Sequence, residues 1–173
     1  VNLRVKEVSR LLLSGIQPGH MPKVFHTNSS YEYWGRAASL IHTTVDGTAD
    51  APLLDNVRIY TFAGGRHGPG RFPPQRTSGQ QLSNPNDYSW FLRGLLVAMN
   101  EWVKNGTPPP PSRYPMIGDG DLVLTEHFEF PSLPGVSQPG EPHKAYRAVY
   151  GPEFRSRGIV TVEPPEVLSA FPI

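Results

Sequence analysis

The segment Phe62-Ala63-Gly64-Gly65-Arg66-His67-Gly68-Pro69-Gly70 sets one histidine among four glycines and a proline. Glycine permits positive φ and close approach of other groups. Imidazole titrates near neutral pH, so it can take a proton and later return it. His67 thus has the chemistry of a general base and acid, against the plainer reading of a surface histidine in a flexible loop. Upstream, Tyr31-Glu32-Tyr33-Trp34 holds one acid inside an aromatic cluster. A carboxylate taken out of water needs a partner. Bonded to an imidazole, it fixes the ring's tautomer and stabilises the protonated form. Glu32 also suits the first turn of a helix. Ser29-x-x-Glu32 has the spacing of a capping box, and an acid there favours the helix dipole.

The elements that would position these residues follow from apolar periodicity. Residues 2–14 repeat Leu3, Val8, Leu11 and Leu12 between charges, as a surface helix does, and Gly15 and Pro18 stop it. Lys23–Thr27 is a short β-rich run. Residues 31–43 read as a helix, and 45–56 as a loop rich in Asp, Gly and Pro. Val57–Phe62 is the clearest strand, followed by a long Gly/Pro loop over 64–86. A helix runs from Asp87 to about Asn105, with Asn84, Asn86 or Asp87 as its cap and Gly106 closing it. Phe91, Leu95, Ala98 and Trp102 form one apolar stripe; Leu92, Leu96, Met99 and Val103 form the next. Such a wide face calls for burial against a sheet or between helices. Beyond Pro108–Pro111, Asp121–Thr125 and Gly158–Val162 are candidate strands.

The front half therefore runs strand, helix, strand, helix, which favours a parallel sheet. Ligands and catalytic groups gather at the carboxyl ends of such strands. Glu32 follows the first strand and His67 the second. Among serine-triad folds, α/β-hydrolases order their residues Ser, Asp/Glu, His along the chain. The missing serine is then expected upstream. A nucleophile elbow needs Gly-x-Ser-x-Gly, and no serine of the chain has it. Gly135-Val136-Ser137-Gln138-Pro139 ends on proline, follows no strand and lies past the histidine.

Composition narrows the classes further. Twenty of the 173 residues are proline, seven within 1–106 and thirteen within 107–173. That divides the chain into a compact front and an extended back. The net charge of +1 offers no broad field for nucleic acid or anionic membrane. No apolar run reaches a membrane span of about 18 residues, and nothing resembles a signal peptide. Without cysteine there is no disulfide framework and no thiolate zinc site. The histidines His26, His42 and His67 with Glu32 show no metal-ligand spacing. The Gly64–Gly70 loop lacks the Gly-Lys-Ser/Thr ending of a phosphate-binding loop. No cofactor and no metal are expected.

Three blocks are recognisable as sequence. KVFHTNSSYEYWGRAASLIHTTVDGTADAPLLDNVRIYTFAGGRHG, NDYSWFLRGLLVAMNEWVKNGTPPPPSRYP and YGPEFRSRGIVTVEPP resemble the C-terminal part of a family of large bacterial alpha/beta hydrolase domain proteins. The resemblance covers nearly everything after about residue 20. It implies the C-terminal part of an α/β-hydrolase-type, mostly parallel sheet with flanking helices. The serine elbow would precede the helix at 2–14. By motif position, His67 would be the triad histidine and Glu32 the acid. Asp46, Asp50 and Asp55 share the inter-strand segment with Glu32.

The expected organisation is residues 1–106 as the end of a hydrolase domain and 107–173 as a proline-rich irregular or β extension. The expected function is the histidine and acid half of a serine hydrolase acting on an ester or other acyl bond. Its partners would be a small ester-like substrate and the N-terminal remainder of the same hydrolase. The alternative is a non-catalytic module. There, Tyr31, Tyr33 and Trp34 as exposed aromatics stack on sugars, or Pro108–Pro111 serves as a polyproline ligand for a protein partner. The sequence assigns no compartment.

Overall fold

A computed structural model describes residues 21–170, except 77, 78, 80, 138 and 139. The helix expected over 2–14 lies outside the described residues. Two parallel strands form the centre: β1, Val24–Ser29, and β2, Val57–Phe62, in register from Val24 opposite Val57 to Ser29 opposite Phe62. β2 matches its expected bounds. β1 begins one residue later and ends two residues later than the run read from the sequence.

Because side chains alternate across a strand, Phe25, Arg58, Tyr60 and Phe62 share one face of the pair. The helix α2, Ser89–Asn105, packs there. Phe25 meets the Tyr60 ring edge-on at 5.1 Å and stacks on Trp102 at 5.7 Å. Lys23 and Arg58 hold their cations 5.2 and 5.1 Å from the Trp102 ring. Gly106 ends α2 at φ 69°, as the sequence predicts, and Asp87 Oδ1 accepts the Ser89 N–H at 3.0 Å.

The expected burial of both α2 stripes is corrected. Trp102 is buried, but Trp90, Phe91, Leu96, Val97 and Val103 stay 60–71% exposed. The reason is width. Two strands lie about 4.8 Å apart, whereas a helix with its side chains is about 10–12 Å across. The strand pair buries the Trp102 end of one stripe and leaves Phe91 at its other end exposed.

The opposite face carries His26, Asn28, Ile59 and Thr61. Over it lie α1, Ser30–Arg36, and a 3-10 turn, Ala38–Ile41. The single helix expected over 31–43 is thus two pieces. Ala37 sits between them in the left-handed region at φ 51°, and its N–H caps α1 on the Glu32 carbonyl. His42 is fully buried beneath this break, with Nε2 2.9 Å from the Tyr33 hydroxyl.

The outer edge of β2 is closed by the proline-rich run. Arg113 donates its N–H to the Ile59 carbonyl at 2.8 Å and accepts from Thr61 N–H at 2.8 Å. Tyr60 donates its hydroxyl to the Pro110 carbonyl at 2.7 Å. Within Pro108–Pro111, Pro110 is thereby tied to β2. Among the described residues, β1 pairs with β2 alone.

The strands expected at Asp121–Thr125 and Gly158–Val162 do not form. Asp121 and Leu122 both donate to the Met116 carbonyl, and Thr161 and Val162 both donate to Tyr150. Each segment spends its backbone donors on one acceptor, which makes a turn, not a ladder. The back instead pairs β3, Arg147–Val149, antiparallel with β4, Glu166–Leu168, around a one-turn helix α3, Phe154–Arg157. No helix among the described residues is long and apolar enough to cross a membrane.

Burial lowers the His42 pKa from 6.5 to about 4, opposed by the charge of Asp50. The unfolded chain binds this proton near 6.5 and the folded chain only near 4. Acidification between those values must therefore destabilise the fold, by about 1.4 kcal/mol per pH unit. In His42→Gln, unfolding free energies measured from pH 7 to 4 should lose most of this slope. An unchanged slope would rule out His42 as its source.

Candidate active site

The site lies where β1 and β2 end. Ser29, the last residue of β1, is the N-cap of α1 and is 2% exposed. Its hydroxyl accepts the Tyr31 N–H at 3.2 Å. Glu32, in the first turn, reaches back with Oε2, which accepts the Ser29 N–H at 2.7 Å and the Ser29 hydroxyl at 2.5 Å. Its other oxygen, Oε1, lies 2.6 Å from His67 Nδ1. The capping role and the imidazole partnership are therefore not alternatives. One carboxylate does both, with one oxygen each.

Of the four candidate acids, Glu32 meets His67. Asp46 accepts from Thr44 and Thr48 within its own turn. Asp50 accepts the Ile117 and Gly118 amides at 2.9 and 2.8 Å. Asp55 is exposed, in the turn before β2. Among the described residues no group of three or more His, Asp or Glu side chains converges to hold a metal ion.

Burial raises the Glu32 pKa, but the bonds from His67 and from the Ser29 hydroxyl and amide outweigh it and leave it below its ordinary 4.5. Glu32 is therefore a carboxylate at neutral pH. Its side chain is 18% exposed, whereas that of His67 is 78% exposed. An imidazole held at Nδ1 by a carboxylate, with its outer edge open to solvent, is arranged to accept a proton at Nε2.

Contacts that the sequence reading missed hold the histidine loop. Ser30 Oγ accepts the Gly64 N–H at 2.8 Å, and the Asn84 side-chain amide donates to the Gly64 carbonyl. Tyr88, 7% exposed and stacked on Phe62 at 4.7 Å, donates its hydroxyl to the Arg66 carbonyl at 2.9 Å. Gly65 passes so close that a Cβ there would lie 3.0 Å from the Phe62 carbonyl oxygen and from the Ser29 Cβ. Gly64, at φ 70°, supplies the positive φ of the turn. Asn84 was legible only as a cap for α2, and Tyr88 carried no signal of its own.

Of the aromatic trio Tyr31 is exposed, as expected, while Tyr33 and Trp34 are half-buried, which corrects the expectation for those two. Tyr31, 37% exposed, sits 5.3 Å from the His67 ring and 5.3 Å from the Arg36 guanidinium. Tyr33 faces His42, and Trp34 packs edge-on against Phe128 at 5.4 Å.

Two parallel strands, with a carboxylate after the first and a bonded histidine after the second, follow the acid-then-histidine order of the α/β-hydrolase class. A family model described as alpha/beta hydrolase domain matches residues 12–129. The match covers more than half of the chain, and the chain belongs to that family. Neither the curated proteins nor the solved structures gave a match.

Ser29→Ala deletes one of the three bonds that keep Glu32 ionised. The Glu32 carboxyl, followed by carbon-detected NMR, should then titrate at higher pH than in the parent chain. The stability that this carboxylate lends is complete above pH 4.5 and is lost as pH falls through its own depressed value. A Glu32 midpoint that Ser29→Ala leaves in place would show that the cap does not tune it.

Proposed function

We propose that the chain carries the histidine and acid half of a serine hydrolase that cleaves an ester or other acyl bond. The observation that carries this reading is the 2.6 Å contact between His67 Nδ1 and a Glu32 carboxylate already anchored at its other oxygen. In this reading His67 Nε2 takes the proton of a serine hydroxyl as the serine attacks the acyl carbon. It then returns the proton to the departing alkoxide or amine. Glu32 holds the tautomer and balances the imidazolium.

The serine and the oxyanion-hole donors belong to the N-terminal remainder of the hydrolase. Two features favour that arrangement. Among the described residues β2 has both edges occupied while β1 has one, so further strands add beside β1, next to Ser29 and Glu32. The exposed apolar side of α2 also suits cover by a wider sheet or a neighbouring helix. The substrate is a small ester-like molecule, and residues 107–173 extend the domain as a proline-rich segment.

The 173-residue chain alone should not turn over a nitrophenyl ester. Mixed or fused with its upstream polypeptide it should do so. Within that assembly Glu32→Gln should cost about 10⁴ in rate, as loss of the orienting acid does in a serine triad, and His67→Ala at least as much. Turnover by the isolated chain that His67→Ala abolishes would overturn the absent nucleophile. Turnover by the assembly that ignores His67→Ala would overturn the residue assignment.

A further inference from the structure

A cavity of about 580 Å³ lies on the α1 side of the β1–β2 pair. It lies within the range of about 300–1,000 Å³ of small-molecule sites. Ser30 and Ala63 border it. Both adjoin the Gly64 amide that Ser30 Oγ holds, so the cavity shares a wall with the loop that carries His67.

Its walls include the apolar and aromatic side chains Trp34, Phe128, Tyr114, Met116 and Leu122. These walls are anchored. The Met116 carbonyl accepts from Asp121 and Leu122, and Asp50 holds the Ile117 and Gly118 amides. The His143 N–H closes onto the Trp34 carbonyl at 2.6 Å. A cavity with walls fixed this way is pre-formed, which lowers the cost of binding.

Polar groups mark the interior and the rim differently. Ser39 borders the cavity while only 3% exposed. A hydroxyl in the wall of a largely apolar cavity can fix the orientation of a bound molecule. Thr61 and Tyr33 also face the cavity. The exposed rim carries Arg113 on one hand and Asp119 and Asp121 on the other. An anion would meet two carboxylates and a cation would meet a guanidinium, so neither sign is favoured.

We propose that this cavity binds an uncharged aromatic molecule, or the aromatic arm of a larger one, whose hydroxyl or carbonyl oxygen bonds the Ser39 hydroxyl. The aromatic walls supply stacking and edge contacts. Ser39 selects the oxygen-bearing member among molecules of equal shape. The site does not depend on the hydrolase reading.

Calorimetric titration of the 173-residue chain with 2-naphthol, and with naphthalene as its hydroxyl-free counterpart, tests the proposal. 2-Naphthol should bind saturably at one site. Ser39→Ala should weaken 2-naphthol about three- to tenfold, the worth of one hydrogen bond, and leave naphthalene unchanged. Met116→Trp should fill the cavity and weaken both at least tenfold. His67→Ala should leave both as they are. No saturable binding, or binding that Ser39→Ala and Met116→Trp leave intact, would overturn the site. Binding lost with His67→Ala would place the ligand at the histidine loop instead and overturn it equally. If Met116→Trp does not fold, the Ser39→Ala comparison decides alone. Loss of ester turnover in the assembled hydrolase changes none of these affinities, so the two readings fail separately.

Discussion

Glu32 has two carboxylate oxygens, and each serves a different structure. Oε2 closes the first turn of α1 onto Ser29, while Oε1 holds His67. The helix dipole and three directed bonds keep the group charged against the cost of its partial burial. Because the cap fixes one oxygen, the other has a defined place to stand. The histidine partner is then positioned by secondary structure itself, with no separate scaffold. The loop on the other side has to match that place. Ser30, Asn84 and Tyr88 each grip a backbone group between Gly64 and Arg66.

Those grips tie the site to both faces of the strand pair. Tyr88 stacks on Phe62 on the α2 face, while Ser30 opens α1 on the other. The fully buried His42, bonded to the half-buried Tyr33 of α1, fixes the same helix from below. Burial pushes the Tyr33 hydroxyl up to about 12 and His42 down to about 4. Both groups are therefore neutral across the physiological range, and the support under Glu32 carries no competing charge.

What the sequence made legible depended on how local the cause was. β2 and the C-terminal end of α2 read correctly, because alternation in Val57–Phe62 and the glycine after Asn105 act within a few residues. The capping box at Ser29 and Glu32 was equally plain, being set by spacing alone. The break at Ala37 was not, since a left-handed alanine arises from packing around His42 and not from its own propensity. The turns at 121–125 and 158–162 were hidden for a similar reason. Their acceptors, Met116 and Tyr150, lie outside the runs that looked like strands. The exposed stripe of α2 could not be foreseen from its pattern, which records what the helix can bury and not how wide a surface it is given.

The closure of β2 by the Arg113 segment has a consequence for assembly. A sheet with two open edges can add copies of itself without limit, and proteins suppress this by blocking edges. Here the block is built from a strand-like residue flanked by prolines, which lack the N–H needed to template another strand. Among the described residues the pair therefore has one closed and one open edge. Among the described residues the β1 edge is the open one, so mispairing between two copies through it would use up the open edge of each and stop at two. It gives a closed pair where a sheet open on both sides would give a filament.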